Sequence, residues 1–181
     1  MPTIKHKIWT YNDYYNIDDD KRYEVIEGEL IEMPSPKYIH QKISMRLSIK
    51  LGNYIDKKGI GEILSAFDTI ISDINVFQPD LLFISNENRK IVEERGIFGS
   101  PDLVIEILSP SNRNHDKIKK FSIYEKFRVK EYWIIDPEKN VIEVFTLENE
   151  NLISYCLVKD GEKLKSKTFT DIELSYKDLI I

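Results

Sequence analysis

The chain predicts an α/β fold: a mixed β-sheet with helices packed on it. Short apolar runs of strand length alternate with two helix-period stretches. Two of the runs, "DLLFI" and "DLVIEIL", are apolar on both faces, as in central strands covered from both sides. The length of 181 residues suits one domain with a sizeable core, residues 1–181.

Each element has a local cause. "RYEVIEGELIEMPSP" holds two short runs around Glu27-Gly28, a hairpin pair ending at Pro34 and Pro36. From Tyr38 to about Lys57, Ile39, Ile43, Leu47, Leu51 and Ile55 recur at four-residue spacing. That pattern predicts an amphipathic helix, closed near Gly59 and Gly61. "EILSAFDTIISD" reads as a strand with a bend, and "FQPDLLFISNE" as a strand bounded by Pro79. A charged connector, "NENRKIVEERGIFGS", leads to "GSPDLVIEILSPSNRNHDK", a second central strand. "NHDKIKKFSIYEKF" reads as a helix, and "EYWIIDPE" and "VIEVFTLEN" as a strand pair. "NLISYCLVKDGEKLKSKTF" suggests a further hairpin turning at Asp160-Gly161. No internal repeat, low-complexity segment or dividing linker occurs.

Composition narrows the function. The chain is 41% hydrophobic and 31% charged, as in globular proteins. With 26 Lys and Arg against 31 Asp and Glu, the net charge of −5 argues against coating nucleic acid by bulk charge. It leaves open a nuclease, whose acidic site offsets a local basic surface. The single cysteine, Cys156, rules out an internal disulfide and a cysteine-rich zinc site. The start has no apolar leader and no stretch nears 18 apolar residues, so a cytoplasmic protein without membrane spans is expected. No G-x-x-x-x-G-K-[ST], G-x-G-x-x-G or G-x-S-x-G occurs, which removes common nucleotide-binding and serine-hydrolase readings.

The chemistry is suggested by carboxylates inside apolar strands. Alternation points Leu103, Ile105 and Ile107 one way, and Asp102, Val104, Glu106 and Leu108 the other. Burying Glu106 unpaired is expensive, so it either ends at a strand terminus beside a lysine or belongs to a site. Asp80, in "QPD" at the start of the other central strand, brings a second carboxylate near if the strands are neighbours. Two close carboxylates repel unless a cation sits between them, and hard oxygen ligands suit Mg²⁺ or Mn²⁺.

A Pro-Asp, a spacer and a Glu-x-Lys on a following strand form the signature of the PD-(D/E)xK nucleases. The chain resembles their Uma2-type, restriction endonuclease-like family through "YEVIEGELIEM", "SPKYIHQ", "QPDLLFI", "GSPDLVIEILSPSNRNHDKIKKFSIYEKF" and "EYWIIDPEKNVIEVF". The likeness covers roughly residues 20 to 150. It implies a restriction endonuclease-like core with added hairpins on the N- and C-terminal sides, and metal-dependent cleavage of DNA phosphodiesters.

The resemblance also implies a site. Asp80 matches the metal-binding aspartate and Glu106 the glutamate of the E-x-K element. The position of the superfamily lysine is Leu108 here, so a lysine from the following helix must substitute. Asp116, Lys120 and Tyr124 stand at four-residue steps and match the family's D-x-x-x-K-x-x-x-Y, making Lys120 the candidate ahead of Lys119 and Lys117. Glu24 matches an acidic position in the first block and is either a further catalytic carboxylate or a solvated hairpin residue. His40 lies in the family's proline-then-histidine stretch and is either at the site or structural. Asp102 caps the strand beside Pro101 or stands behind the site. The family's usual glycine before V-x-E-Y-W is Arg128 here. Expected partners are DNA, Mg²⁺ or Mn²⁺, no membrane, and a second copy in a homodimer. The rivals are an inactive nuclease-fold binding or assembly module, and an enzyme acting on RNA or a modified nucleotide.

Overall fold

The computed structural model describes residues 7–109, 115–159 and 161–180, with backbone alone for 115–117. Helix α1 (Tyr11–Tyr15) starts at Thr10, whose hydroxyl accepts from the Asp13 amide while Asp13 accepts from the Thr10 amide. Strands β1 (Tyr23–Ile26) and β2 (Glu29–Glu32) follow, joined by Glu27-Gly28 with φ of +51° and +78°. Such a left-handed pair is what a tight hairpin requires. Helix α2 (Tyr38–Lys58) buries Ile43, Leu47, Leu51 and Ile55, the stripe read from the sequence. Gly59 ends it at φ +62°, its amide returned to the Ile55 carbonyl at 2.8 Å.

The middle of the chain differs from expectation. "EILSAFDTIISD" forms two strands, β3 (Gly61–Leu64) and β4 (Thr69–Ser72), that belong to different sheets. Strands β5 (Asn75–Phe77) and β6 (Leu81–Ser85) come next. The charged connector is not featureless. It carries a 3₁₀ turn (Asn86–Ile91) and a small hairpin of β7 (Val92–Glu93) and β8 (Gly96–Phe98). Ile97 is fully buried and packs with Leu82 and Ile84, apolar surface outweighing the surrounding charge. Strand β9 (Leu103–Ile107) leads on to a π-helical turn (His115–Lys120) and helix α3 (Phe121–Lys126).

Strands β10 (Glu131–Asp136), β11 (Val141–Glu148) and β12 (Asn151–Val158) form a meander before helix α4 (Lys177–Ile180). The hairpin expected at Asp160-Gly161 turns earlier. β12 folds back on β11 at Asn149-Glu150, both with positive φ, and Asp160 lies outside the described residues. Asparagine tolerates this conformation, so "ENEN" is a turn signal as well as a polar strand end.

The strands divide between two six-stranded mixed sheets, in the orders β2-β1-β5-β4-β8-β7 and β12-β11-β10-β9-β6-β3. Within the second, β9 runs parallel to β10 and antiparallel to β6. One face of this sheet, with Leu81, Leu103, Ile105 and Trp133, packs under α2 and α4. The other, with Val104, Leu108, Tyr132 and Ile134, meets α3 and also Ile26, Ile71 and Phe77 of the first sheet. The second interface positions the site. No helix among the described residues is long and apolar enough to cross a membrane.

Arg128 occupies the turn after α3 with φ +64°. A non-glycine residue there is strained by roughly 1–2 kcal/mol, and its ion pair with Glu150 is exposed at both ends. Arg128→Gly should therefore raise stability by about 0.5–1 kcal/mol, after the entropy of a freer unfolded chain is subtracted. Denaturant unfolding checks this.

Candidate active site

The ladder between β6 and β9 pairs Leu81 with Ile105, and one further step sets Asp80 beside Glu106. The Ile107 amide donates to Asp80 Oδ2 at 2.7 Å, fixing the aspartate to the neighbouring strand. His40, in the first turn of α2, places Nε2 3.0 Å from the same oxygen. An ionised carboxylate can only accept, so Nε2 carries the hydrogen. His40 Nδ1 is buried without a partner among the described residues. Both of these bonds fall on Oδ2 and neither on Oδ1.

Glu106 is 4% exposed, on the face of β9 shared with Val104 and Leu108. Its Oε1 accepts from Lys120 Nζ at 3.1 Å and from the Tyr124 hydroxyl at 2.9 Å. Lys120, at 1% exposure, also donates to Glu24 Oε1 at 2.9 Å. Glu24, on β1 of the first sheet, accepts at the same oxygen from the Gln78 amide at 3.0 Å. One ammonium thus bridges carboxylates from two sheets. The carboxylate that looked costly inside β9 is paired, and its lysine stands at the end of the π-helical turn before α3. Leu108 itself packs into the apolar cluster with Val104 and Tyr124.

Burial, then the charge of Glu106, pushes the Tyr124 phenol well above its ordinary range, so it stays a donor. Tyr124→Phe removes that bond while keeping the ring. It should cost about 1–3 kcal/mol in stability, read by thermal or denaturant melts.

Asp80, Glu106, Lys120 and His40 line one cavity of about 140 Å³, with Arg22, Lys37 and Ser109 also on its wall. Asp102, for which the alternatives were a cap beside Pro101 or a place behind the site, does not line this cavity. It precedes β9 at the opposite end, roughly 13 Å along the strand from Glu106. There it caps the Ser85 amide at 2.8 Å and pairs with Lys130 at 2.5 Å. Burial raises its carboxyl, but these two partners bring the net shift below the ordinary value. Lys119 turns away to Glu29 at 2.9 Å. The side chains of Asp116 and Lys117 lie outside the described residues.

Two carboxylates flanking one cavity are hard oxygen donors suited to Mg²⁺ or Mn²⁺. Among the described residues no three His, Cys, Asp or Glu side chains converge on a metal position. Of the described carboxylates, Asp80 and Glu106 are the two that line this cavity. Sequence reasoning missed Arg22 and Gln78. Gln78 stood in plain sight in "QPD", two residues before the aspartate, but its hold on Glu24 comes through a main-chain amide that no side-chain pattern reveals.

The fold and this acid–lysine cavity define a restriction endonuclease-like α/β protein. The chain belongs to the Uma2 family, described as "Putative restriction endonuclease", whose profile matches residues 10–177. It is 27% identical over 147 residues to "Uncharacterized protein sll1609" of Synechocystis sp., covering 75% of this chain and 79% of that protein. Its fold is also that of a "putative nuclease belonging to DUF820" from Anabaena variabilis, with a TM-score of 0.79 and 22% identity over 94% of this chain and 96% of that one.

Proposed function

We propose that this protein is a metal-dependent endonuclease that hydrolyses DNA phosphodiesters. One observation carries the reading. Lys120 donates to Glu106 inside a cavity that Asp80 also lines, so two acids and a lysine meet although Leu108 stands at the usual lysine position.

Asp80 and Glu106 would hold Mg²⁺ or Mn²⁺, which when bound supplies positive charge for the phosphate and a more acidic water for attack. The chain's own residues set the rest. His40 and the Ile107 amide fix Asp80 through one oxygen. Tyr124 and Lys120 orient Glu106. Lys120, held from the far side by Glu24, presents a fixed positive charge where negative charge builds on the phosphate. Glu24 is thereby the residue that positions the lysine. Each such cavity serves one strand, so a double-strand cut calls for a second copy.

The test offers supercoiled plasmid and a structured RNA in parallel, with Mg²⁺ or Mn²⁺. Plasmid nicking is expected. Cleavage of RNA alone would move the substrate to RNA, and cleavage of neither would favour a nuclease-fold binding or assembly module.

A further inference from the structure

Arg22 sits just before β1, is exposed, and lines the mouth of the acidic cavity. Its Nε donates to Gln78 Oε1 at 3.0 Å, and among the described residues no carboxylate forms an ion pair with it. The chain carries a net charge of −5. An exposed guanidinium on the wall of the cavity that Asp80 and Glu106 also line is placed to meet an anion from outside.

The orientation of this arginine is built. Gln78 Nε2 donates to Asp68 Oδ1 at 2.8 Å and lies 3.2 Å from the Tyr14 hydroxyl. Tyr14 donates to the same Asp68 oxygen at 2.9 Å. Asp68 can only accept, so the amide must turn its nitrogen to Asp68 and its oxygen to Arg22. Burial and the charge of Asp68 hold the Tyr14 phenol protonated, which keeps it a donor. The main chain of Gln78 also fixes Glu24, the partner of Lys120. One residue thus sets the arginine and the lysine relative to each other.

We propose that Arg22 binds a phosphate of the nucleic-acid strand adjoining the one in the acidic cavity, gripping two of its oxygens with the fork that Gln78 leaves open. The inference rests on the nuclease reading and adds the residue that sets the strand's path across the site. Lys37, also on the cavity wall, would give a second, less oriented charge on the same path.

Steady-state cleavage of a short DNA duplex tests it, with wild type, Arg22→Gln, Arg22→Lys and Asp68→Asn. Arg22→Gln should raise KM about tenfold or more, with kcat changed by less than about threefold. It should also lower the slope of log kcat/KM against log salt by about 0.9. Arg22→Lys should restore the slope and only part of the KM, because it keeps the charge without the fork. Asp68→Asn should raise KM with the slope retained, because the amide is then free to flip. Wild-type cleavage with an unchanged KM and salt slope in Arg22→Gln would overturn the inference and leave the nuclease reading standing. A wild type that cuts no DNA would overturn both.

Discussion

Lys120→Met should be among the most damaging single substitutions in this chain, lowering stability by about 3–5 kcal/mol and abolishing activity. Methionine nearly fills the space of the lysine stem, so the loss is electrical. Glu24 at 1% exposure and Glu106 at 4% would be left facing each other without the ammonium that bridges them. Breaking a buried ion pair leaves its partner's charge less compensated, and here two carboxylates lose the same ammonium at once. For a chain of 181 residues this corresponds to a fall in Tm of roughly 6–20 °C. Adding Glu24→Gln to Lys120→Met removes one of the two uncompensated charges and should recover part of the stability but none of the activity. Parallel denaturant unfolding of wild type, the single variant and the double variant reads both steps. A Lys120→Met protein that melts like wild type would mean that the bridge contributes little to the fold.

Asp80→Asn should behave in the opposite way, removing activity and sparing the fold. Both hydrogen bonds to Asp80 fall on Oδ2, and the amide oxygen of asparagine can take that place. The Ile107 amide and His40 Nε2 then keep their acceptor, and stability should stay within about 1 kcal/mol. What disappears is a formal negative charge on the cavity wall. Loss of one of the two carboxylates that line the cavity among the described residues should abolish Mg²⁺ binding, measured by calorimetric titration, and cleavage with it.

Much of this was legible in the sequence, for reasons that can be named. The stripe of Ile43, Leu47, Leu51 and Ile55 predicted α2 because a four-residue apolar repeat has few other solutions. Asp80 and Glu106 stood out because each lies in or beside a strand apolar on both faces, but that these strands are neighbours stayed a condition, and the family resemblance is what paired the two acids. Family resemblance, not periodicity, singled out Lys120, since a lysine on a helix surface is usually solvated. The π-helical turn that delivers it has no simple sequence signal.

What stayed hidden depended on distant partners. The split of the strands into two sheets turns on whether β3 and β4 continue as one strand, and short apolar runs do not decide that. Asp102 shares its strand face with Glu106, and only the length of β9 separates their tasks. The β7–β8 hairpin was masked by Glu93, Glu94 and Arg95, although Ile97 within it is fully buried. The Gln78 amide that holds Glu24 and the side chain that holds Arg22 belong to contacts 54 and 56 residues apart in the chain.

Plasmid nicking by wild type and Asp80→Asn, in Mg²⁺, in Mn²⁺ and in excess chelator, tests the central claim most directly, with melts of both proteins run alongside. The account predicts nicking by wild type in either metal, none in chelator, and none by Asp80→Asn at an equal folded fraction. Wild-type nicking that persists in chelator, or a folded Asp80→Asn that nicks at the wild-type rate, would contradict it.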